Sequence, residues 1–253
     1  MPTPPRDPRP RSQQIAADLR ADIMSGDLAA GAKLPSTAEL GQKYSAPGAT
    51  IQNAIAILKA EGYVEGQPGR GVYVRPTQQQ TITPAEYAAP AAPGQPYAWI
   101  TAATDRGQRG ASRLLDVGEV PAPVQVAAAL GLTPGSPVVR RAQVLSLDDN
   151  PSELVHTFYP VDLARGTALA ERKKIRGGSP AVLGELGAEP VAFEDVISTR
   201  PPTTEEFVAL ALPTEVPVLR TFRVWATAEG RPVECQVLIK AGHMHELRYR
   251  WPS

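Results

Sequence analysis

From the N-terminus, the first regular alternation of apolar and polar positions has a helical period. Ile15, Leu19 and Ile23 recur at i, i+4 and i+8, one face of a helix. Ser12 precedes them as an N-cap and Gly26 follows as a stop. Leu34-Pro35 then leads into Ser36-Thr37-Ala38-Glu39. Ser36 and Glu39 have the spacing of a capping box, in which the serine oxygen accepts from the glutamate amide and the carboxylate reaches back. Leu40 and Tyr44 form the apolar stripe of this short helix. A third helix is predicted after Ser45, with Pro47 in its first turn, Ile51, Ile55 and Leu58 facing a core, and Gly62 as its stop. The period then falls to two. Tyr63-Val64-Glu65 and Val72-Tyr73-Val74 flank Gly66-Gln67-Pro68-Gly69-Arg70-Gly71, a hairpin around a Gly/Pro turn. Residues 12–75 therefore read helix, helix, helix, hairpin.

Residues 1–11 carry no such period and read as a disordered arm. From Pro76 to about residue 96 the pattern is lost again among glutamines, alanines and prolines, the composition of a linker. Residues 97–253 form a second domain. Val138 to Leu147 is β-prone, ends at Asp148-Asp149-Asn150-Pro151, and returns as a strand from Leu154 to Tyr159. Val218 to Ala226 and Val233 to Lys240 repeat the hairpin around Ala228-Glu229-Gly230-Arg231. Val124 to Leu130 and Glu205 to Leu210 read as short helices. Two hairpins with helices predict an α+β domain around an antiparallel sheet.

Composition narrows the function. The chain has 253 residues with 26 basic and 26 acidic side chains, which excludes a globally basic coat for nucleic acid but leaves a local patch open. Its 27 prolines are roughly twice the usual ~5% share, in keeping with linkers. The single cysteine, Cys235, excludes an internal disulfide framework and a Cys-rich zinc ribbon. The N-terminus has no apolar stretch of the secretory kind, and no run approaches the ~18 residues of a membrane span. The cytoplasm is the expected location.

Three helices followed by a glycine-rich hairpin make a winged helix-turn-helix. Its short third helix, with small residues at its start, suits a major groove ~12 Å wide. The blocks Leu34-Pro35-Ser36, Glu39-Leu40, Thr50-Ile51-Gln52-Asn53-Ala54-Ile55, Leu58-Lys59-Ala60-Glu61-Gly62-Tyr63 and Gly69-Arg70-Gly71-Val72-Tyr73-Val74, in this order, resemble the GntR family of bacterial transcription regulators. Val120-Pro121-Ala122-Pro123, Ala127-Ala128-Ala129-Leu130-Gly131-Leu132, Gly135-Ser136-Pro137-Val138-Val139-Arg140 and Gly230-Arg231-Pro232-Val233-Glu234 resemble the UTRA effector domain of the HutC subfamily. The resemblance implies a chorismate-lyase-like fold that binds a small molecule and dimerises. It also implies a homodimer on an inverted-repeat operator in double-stranded DNA, most often as a repressor.

The chain departs from the family pattern where arginines usually meet DNA: Ala38, Gly48 and Gln52 stand there. Two readings stay open. Either other groups make the contacts, or binding is weak. The candidate groups are Ser36 and Lys43 on the second helix, Thr50, Gln52 and Asn53 at the start of the third, Gly69, Arg70 and Gly71 in the wing, and the arm's arginines. Residues 1–76 hold nine basic and seven acidic side chains, a net charge of only +2, so direct contacts and dimerisation must carry more than bulk charge.

In the second domain, Gln143-Val144-Leu145 occupies the place of the Arg-x-Arg pair that grips phosphate in sugar-phosphate-sensing relatives. Ser179-Pro180-Ala181 replaces a Ser-Leu-Tyr, and Val155 an acid. Phosphate needs charge-assisted donors, so a small, uncharged or weakly polar effector is expected. Period two puts Gln143, Leu145, Val155 and Thr157 on one face with Glu234 and Gln236 of the last long strand, and Ser179 at a helix start completes the candidate lining.

Other features read blandly. Cys235 reads as a half-buried strand residue without a His or Asp at catalytic spacing. His243-Met244-His245 reads as a solvated loop rather than a metal site, and Arg172 to Arg176 as a solvated basic face. No Walker, Rossmann or nucleophile-elbow pattern is present, so no cofactor is expected. Two alternatives remain beside the regulator: a lyase-like enzyme, which the fold also supports, and a degenerate regulator acting through protein contacts.

Overall fold

The computed structural model describes residues 7–76, 80–82, 98–175, 177–214 and 216–248. The expected arm up to residue 6, and most of the expected linker, lie outside these. The chain divides into two compact units, residues 1–78 and 79–253.

The first unit is the predicted succession: α1 (Arg11–Ser25), α2 (Thr37–Tyr44), α3 (Gly48–Ala60), β1 (Val64–Gln67) and β2 (Gly71–Val74). Its core joins Ile15, Leu19, Ile23, Leu40, Tyr44, Ile51, Ile55 and Leu58 to Val64 and Val74 of the hairpin. Each fully buried aliphatic side chain contributes about 1.5–3 kcal/mol, so the periodic positions are those that hold the unit together. Ser12 is not the N-cap. Pro10 takes that place, because its ring presets φ and its carbonyl accepts from Gln13 and Gln14 at 2.9 and 3.2 Å. Gly26 ends α1 in the left-handed region at φ 87°, and Pro47 sits one residue before α3 rather than within it. The Ser36–Glu39 capping box closes in both directions. A cross-link that no periodicity signals joins α1 to the end of α3: Arg20 donates to both oxygens of Glu61 at 2.6 and 2.8 Å.

The second unit is an antiparallel six-stranded sheet in the order β4-β5-β6-β9-β8-β7, flanked by short helices. The strands are β4 (Gly110–Pro121), β5 (Pro137–Leu147), β6 (Asn150–Pro160), β7 (Ala192–Arg200), β8 (Val218–Ala226) and β9 (Pro232–Ala241). The helices are α4 (Ala98–Asp105), α5 (Val124–Ala129), α6 (Val161–Ala164), α7 (Ser179–Glu185) and α8 (Thr204–Ala209). The two expected hairpins form the middle of the sheet; the edges β4 and β7 are additions. Within the stretch read as linker, β3 (Gln80–Ile82) pairs in parallel with β10 (His245–Leu247). A three-residue strand has no stability of its own, so it exists only because β10 offers an edge.

Register sorts the sheet into two faces. One carries Ala142, His156, Val237 and Phe222 in one row and Val144, Leu154 and Ile239 in the next. Side chains of α5 and of the segment after α8 cover it, with Val126, Ala127 and Leu130 on Phe158, Phe222 and Cys235, and Leu210 and Leu212 on Val144, Leu154 and Ile239. The other face is covered at one end by Trp99 and Ala103 of α4 on Leu145, Val155 and Leu238. At its other end Leu163, Ala164 and Leu183 of α6 and α7 pack with Val139, Tyr159 and Trp225. Cys235 is wholly buried, not half-buried, and burial pushes its thiol up to about 12. His245 is no solvated loop residue. It lies buried in β10, because the turn 242–244 folds it back onto Ser152. Among the described residues no helix is long and apolar enough to cross a membrane.

Candidate DNA interface and ligand face

The start of α3 has the features required of a recognition helix. Its core face is spent on Ile51, Ala54, Ile55 and Leu58, which turns Gly48, Ala49, Gln52, Asn53 and Ala56 outward. Gln52 and Asn53 are exposed and form no side-chain hydrogen bond among the described residues, so both amides are available to base edges. Thr50 is half-buried beside them. Ser36 is committed elsewhere: its hydroxyl donates to Glu39 Oε2 at 2.7 Å and accepts from the Glu39 amide at 3.2 Å. The Ser36 hydrogen bonds hold the Glu39 carboxyl below its usual range. Lys43 lies over the Tyr44 ring, 5.2 Å from its centroid, and 3.5 Å from Asp22. Arg70 is exposed at the wing turn, where Gly69 adopts φ 70° with open space around it, a conformation that favours glycine.

The partly covered sheet face gathers all the expected ligand residues, though in different roles. Across β5, β6, β9 and β8 one row reads Gln143, Val155, Leu238, Thr221 and the next Arg141, Thr157, Gln236, Arg223. Leu145 and Val155 are only 1% exposed beneath α4, so they form the packed floor. Ser179 and Glu234 meet: Ser179 donates to Glu234 Oε2 at 2.6 Å and Gln236 to Oε1. Burial holds the Glu234 carboxyl above its usual range, against the opposing hydrogen bonds of Ser179, Tyr159 and Gln236. This cluster fastens the start of α7 to β9.

The other charges on this face are also engaged. Arg223 donates twice to Asp195, at 2.7 Å each, with its guanidinium 4.2 Å from the Phe193 ring centroid. Lys240 lies 2.8 Å from Glu153 in a pair almost free of solvent. Arg141 donates to the carbonyls of Leu169, Glu171 and Lys173 at 2.8, 2.8 and 2.6 Å, tying down the segment before α7. Neutral groups remain. Thr157 and Thr221 are 5% and 4% exposed, and neither hydroxyl has a hydrogen-bond partner among the described residues. Gln143 accepts from Ser112 at 3.1 Å, leaving its amide N–H groups, and Gln236 keeps its carbonyl.

Sequence reasoning missed Thr221, Arg223 and Asp195, all on β7 and β8. The alternation Phe193, Asp195, Ile197 was a signal for β7, but which face it joined depended on pairing with β8.

Residues 11–74 match the gntR family of bacterial regulatory proteins, and residues 105–246 match the UTRA domain. The chain belongs to the GntR family of transcriptional regulators. It is 28% identical over 224 residues to an uncharacterized HTH-type transcriptional regulator of Rhizobium meliloti, covering 88% of this chain and 87% of that one. It is 26% identical over 162 residues to the HTH-type transcriptional repressor NagR of Bacillus subtilis, covering 62% and 60%. The structure of PhnF from Mycobacterium smegmatis shares its fold at a TM-score of 0.59 and 21% identity, over 94% of this chain and 99% of that one. As a GntR-family regulator the protein binds DNA, and its second unit carries the UTRA domain.

Proposed function

We propose that this regulator is a HutC-type repressor, binding an inverted-repeat operator as a homodimer and released by a small, neutral, hydrogen-bonding effector. It works in the cytoplasm, where its operator is, and has no enzymatic activity of its own. One observation carries the effector class. On the ligand face the charged side chains Arg141, Glu153, Lys240, Arg223, Asp195 and Glu234 hold one another or the backbone, while the hydroxyls of Thr157 and Thr221, on residues otherwise buried, have no partner among the described residues. These hydroxyls are open to a ligand with hydroxyl or amide groups, and each such hydrogen bond contributes about 0.5–1.5 kcal/mol net. An anionic ligand would have to displace Asp195 from Arg223 or Glu153 from Lys240, leaving a buried carboxylate unpaired.

A lyase-like reading finds no support at the contact of Ser152 with His245. Ser152 is 0% exposed, and His245 directs its other ring nitrogen to the Ala241 carbonyl at 2.9 Å, not to an acid.

The test is titration of unphosphorylated and phosphorylated sugars, polyols and amides against the complex of the full chain with DNA it has itself selected from a random pool. Release by a neutral compound, lost in Thr157→Val, supports the reading. Release by a hexosamine phosphate at micromolar concentration overturns it. Light scattering of the complex should give two chains per operator; a 1:1 complex of full affinity on one half-site refutes the dimer.

A further inference from the structure

The first unit contains few cations that are not already paired. Arg9 pairs with Asp7, Arg20 with Glu61, Lys43 with Asp22 and Arg75 with Glu65, and Arg11 donates to the Tyr44 carbonyl. Among the described residues, Lys33, Lys59 and Arg70 have no ion pair or side-chain hydrogen bond. All three lie at the wing.

Their placement depends on two glycines. Residues 31–34 run alongside β2: Gly31 donates to Val74, Leu34 to Val72 and Val74 to Ala32 at 2.8–2.9 Å, and Lys33 bridges Tyr73. Lys33 is thereby anchored by its backbone, and its side chain crosses the hairpin at Gly71, where a methyl group would come within 2.7 Å of Lys33 Cε. Lys59, in the last turn of α3, crosses at Gly66, where a methyl group would come within 3.2 Å of Lys59 Nζ. Gly66 is paired with Val72, and Gly71 with Gln67. Opposed residues share a face and successive residues alternate, so the two glycines lie on opposite faces of the wing. A lysine stem therefore covers each face, and Arg70 marks the tip.

We infer that Lys33 and Lys59 are DNA-phosphate contacts, forming with Arg70 a clamp that supplies the charge missing at Ala38, Gly48 and Gln52. A minor groove ~6 Å wide is bounded by a phosphate backbone on either side. A hairpin tip entering it with one cation on each face meets both backbones. This also revises the role of Gly71: its missing side chain makes room for the Lys33 stem.

Each phosphate neutralised adds about 0.9 to the salt slope of log K, or about an eightfold change in affinity at 0.1 M salt. The experiment measures binding of the full chain to its pool-selected DNA by fluorescence anisotropy between 50 and 200 mM KCl. Lys33→Ala and Lys59→Ala should each lower the slope by about 0.9, and the double variant by about 1.8, with preference among bases unchanged. Lys33→Arg and Lys59→Arg should restore it. Both lysines are exposed, so the variants should fold, and circular dichroism checks this. Unchanged slopes with intact wild-type binding overturn the clamp alone, and a change confined to one lysine overturns its two-faced form. A wild-type chain that selects no DNA overturns the DNA-binding assignment itself.

Discussion

Acidification should destabilise the UTRA domain through His245. In the native state this imidazole is buried, donates from Nδ1 to the Ala241 carbonyl and accepts at Nε2 from the Ser152 hydroxyl. Burial holds it neutral, and Lys240, His243 and Arg106 nearby oppose a further positive charge, so its pKa falls from 6.5 to about 3. The unfolded chain takes up the proton near 6.5, the native chain only near 3. Stability is therefore complete above 6.5 and declines as pH falls towards 3, by about 1.4 kcal/mol per unit. Between pH 7.5 and 5.0 the loss is about 2 kcal/mol. His156, also lowered by burial, and the carboxylates are present in both proteins and cancel in the comparison of wild type with variant. Urea unfolding followed by tryptophan fluorescence isolates the domain, because Trp99, Trp225 and Trp251 all lie in the second unit. His245→Gln should be less stable at pH 7.5 yet lose about 2 kcal/mol less on acidification. An identical pH dependence in the two proteins would refute the argument.

Gln52→Ala should relax base preference at one operator position at a cost of about 1–3 kcal/mol, read from competition by singly substituted operators; a uniform loss across all sequences would instead make Gln52 a backbone contact. Ser36→Ala should cost about 1 kcal/mol of stability through the lost cap while leaving the salt slope of DNA binding unchanged, which anisotropy and thermal melts measure together. Arg223→Met should destabilise the UTRA domain by about 3–5 kcal/mol, because Asp195, with a side chain only 9% exposed, is left buried and unpaired; Arg223→Met with Asp195→Leu should recover most of that in the same urea assay.

The winged helix was legible because its determinants are local. Ile15, Leu19 and Ile23 must share a face at the helical period, Ser36 caps Glu39 three residues away, and Gly26 stops α1 by its own backbone freedom. The middle hairpins of the UTRA domain were legible for the same reason, since a turn fixes the register of its flanking strands. The candidate ligand positions fell on one face because period two is also a local rule. Which face that is, and what each side chain does there, was settled by distant partners: α4 covers Leu145 and Val155, Ser179 and Gln236 engage Glu234, and β7 brings Asp195 to Arg223. Strands β3 and β10 and the crossing of Lys33 over Gly71 likewise depend on segments far apart in the chain. Backbone preference and apolar period act over a few residues and can be read in order along the chain. Ion pairs, burial and edge pairing depend on which surfaces meet, and only the folded chain decides that.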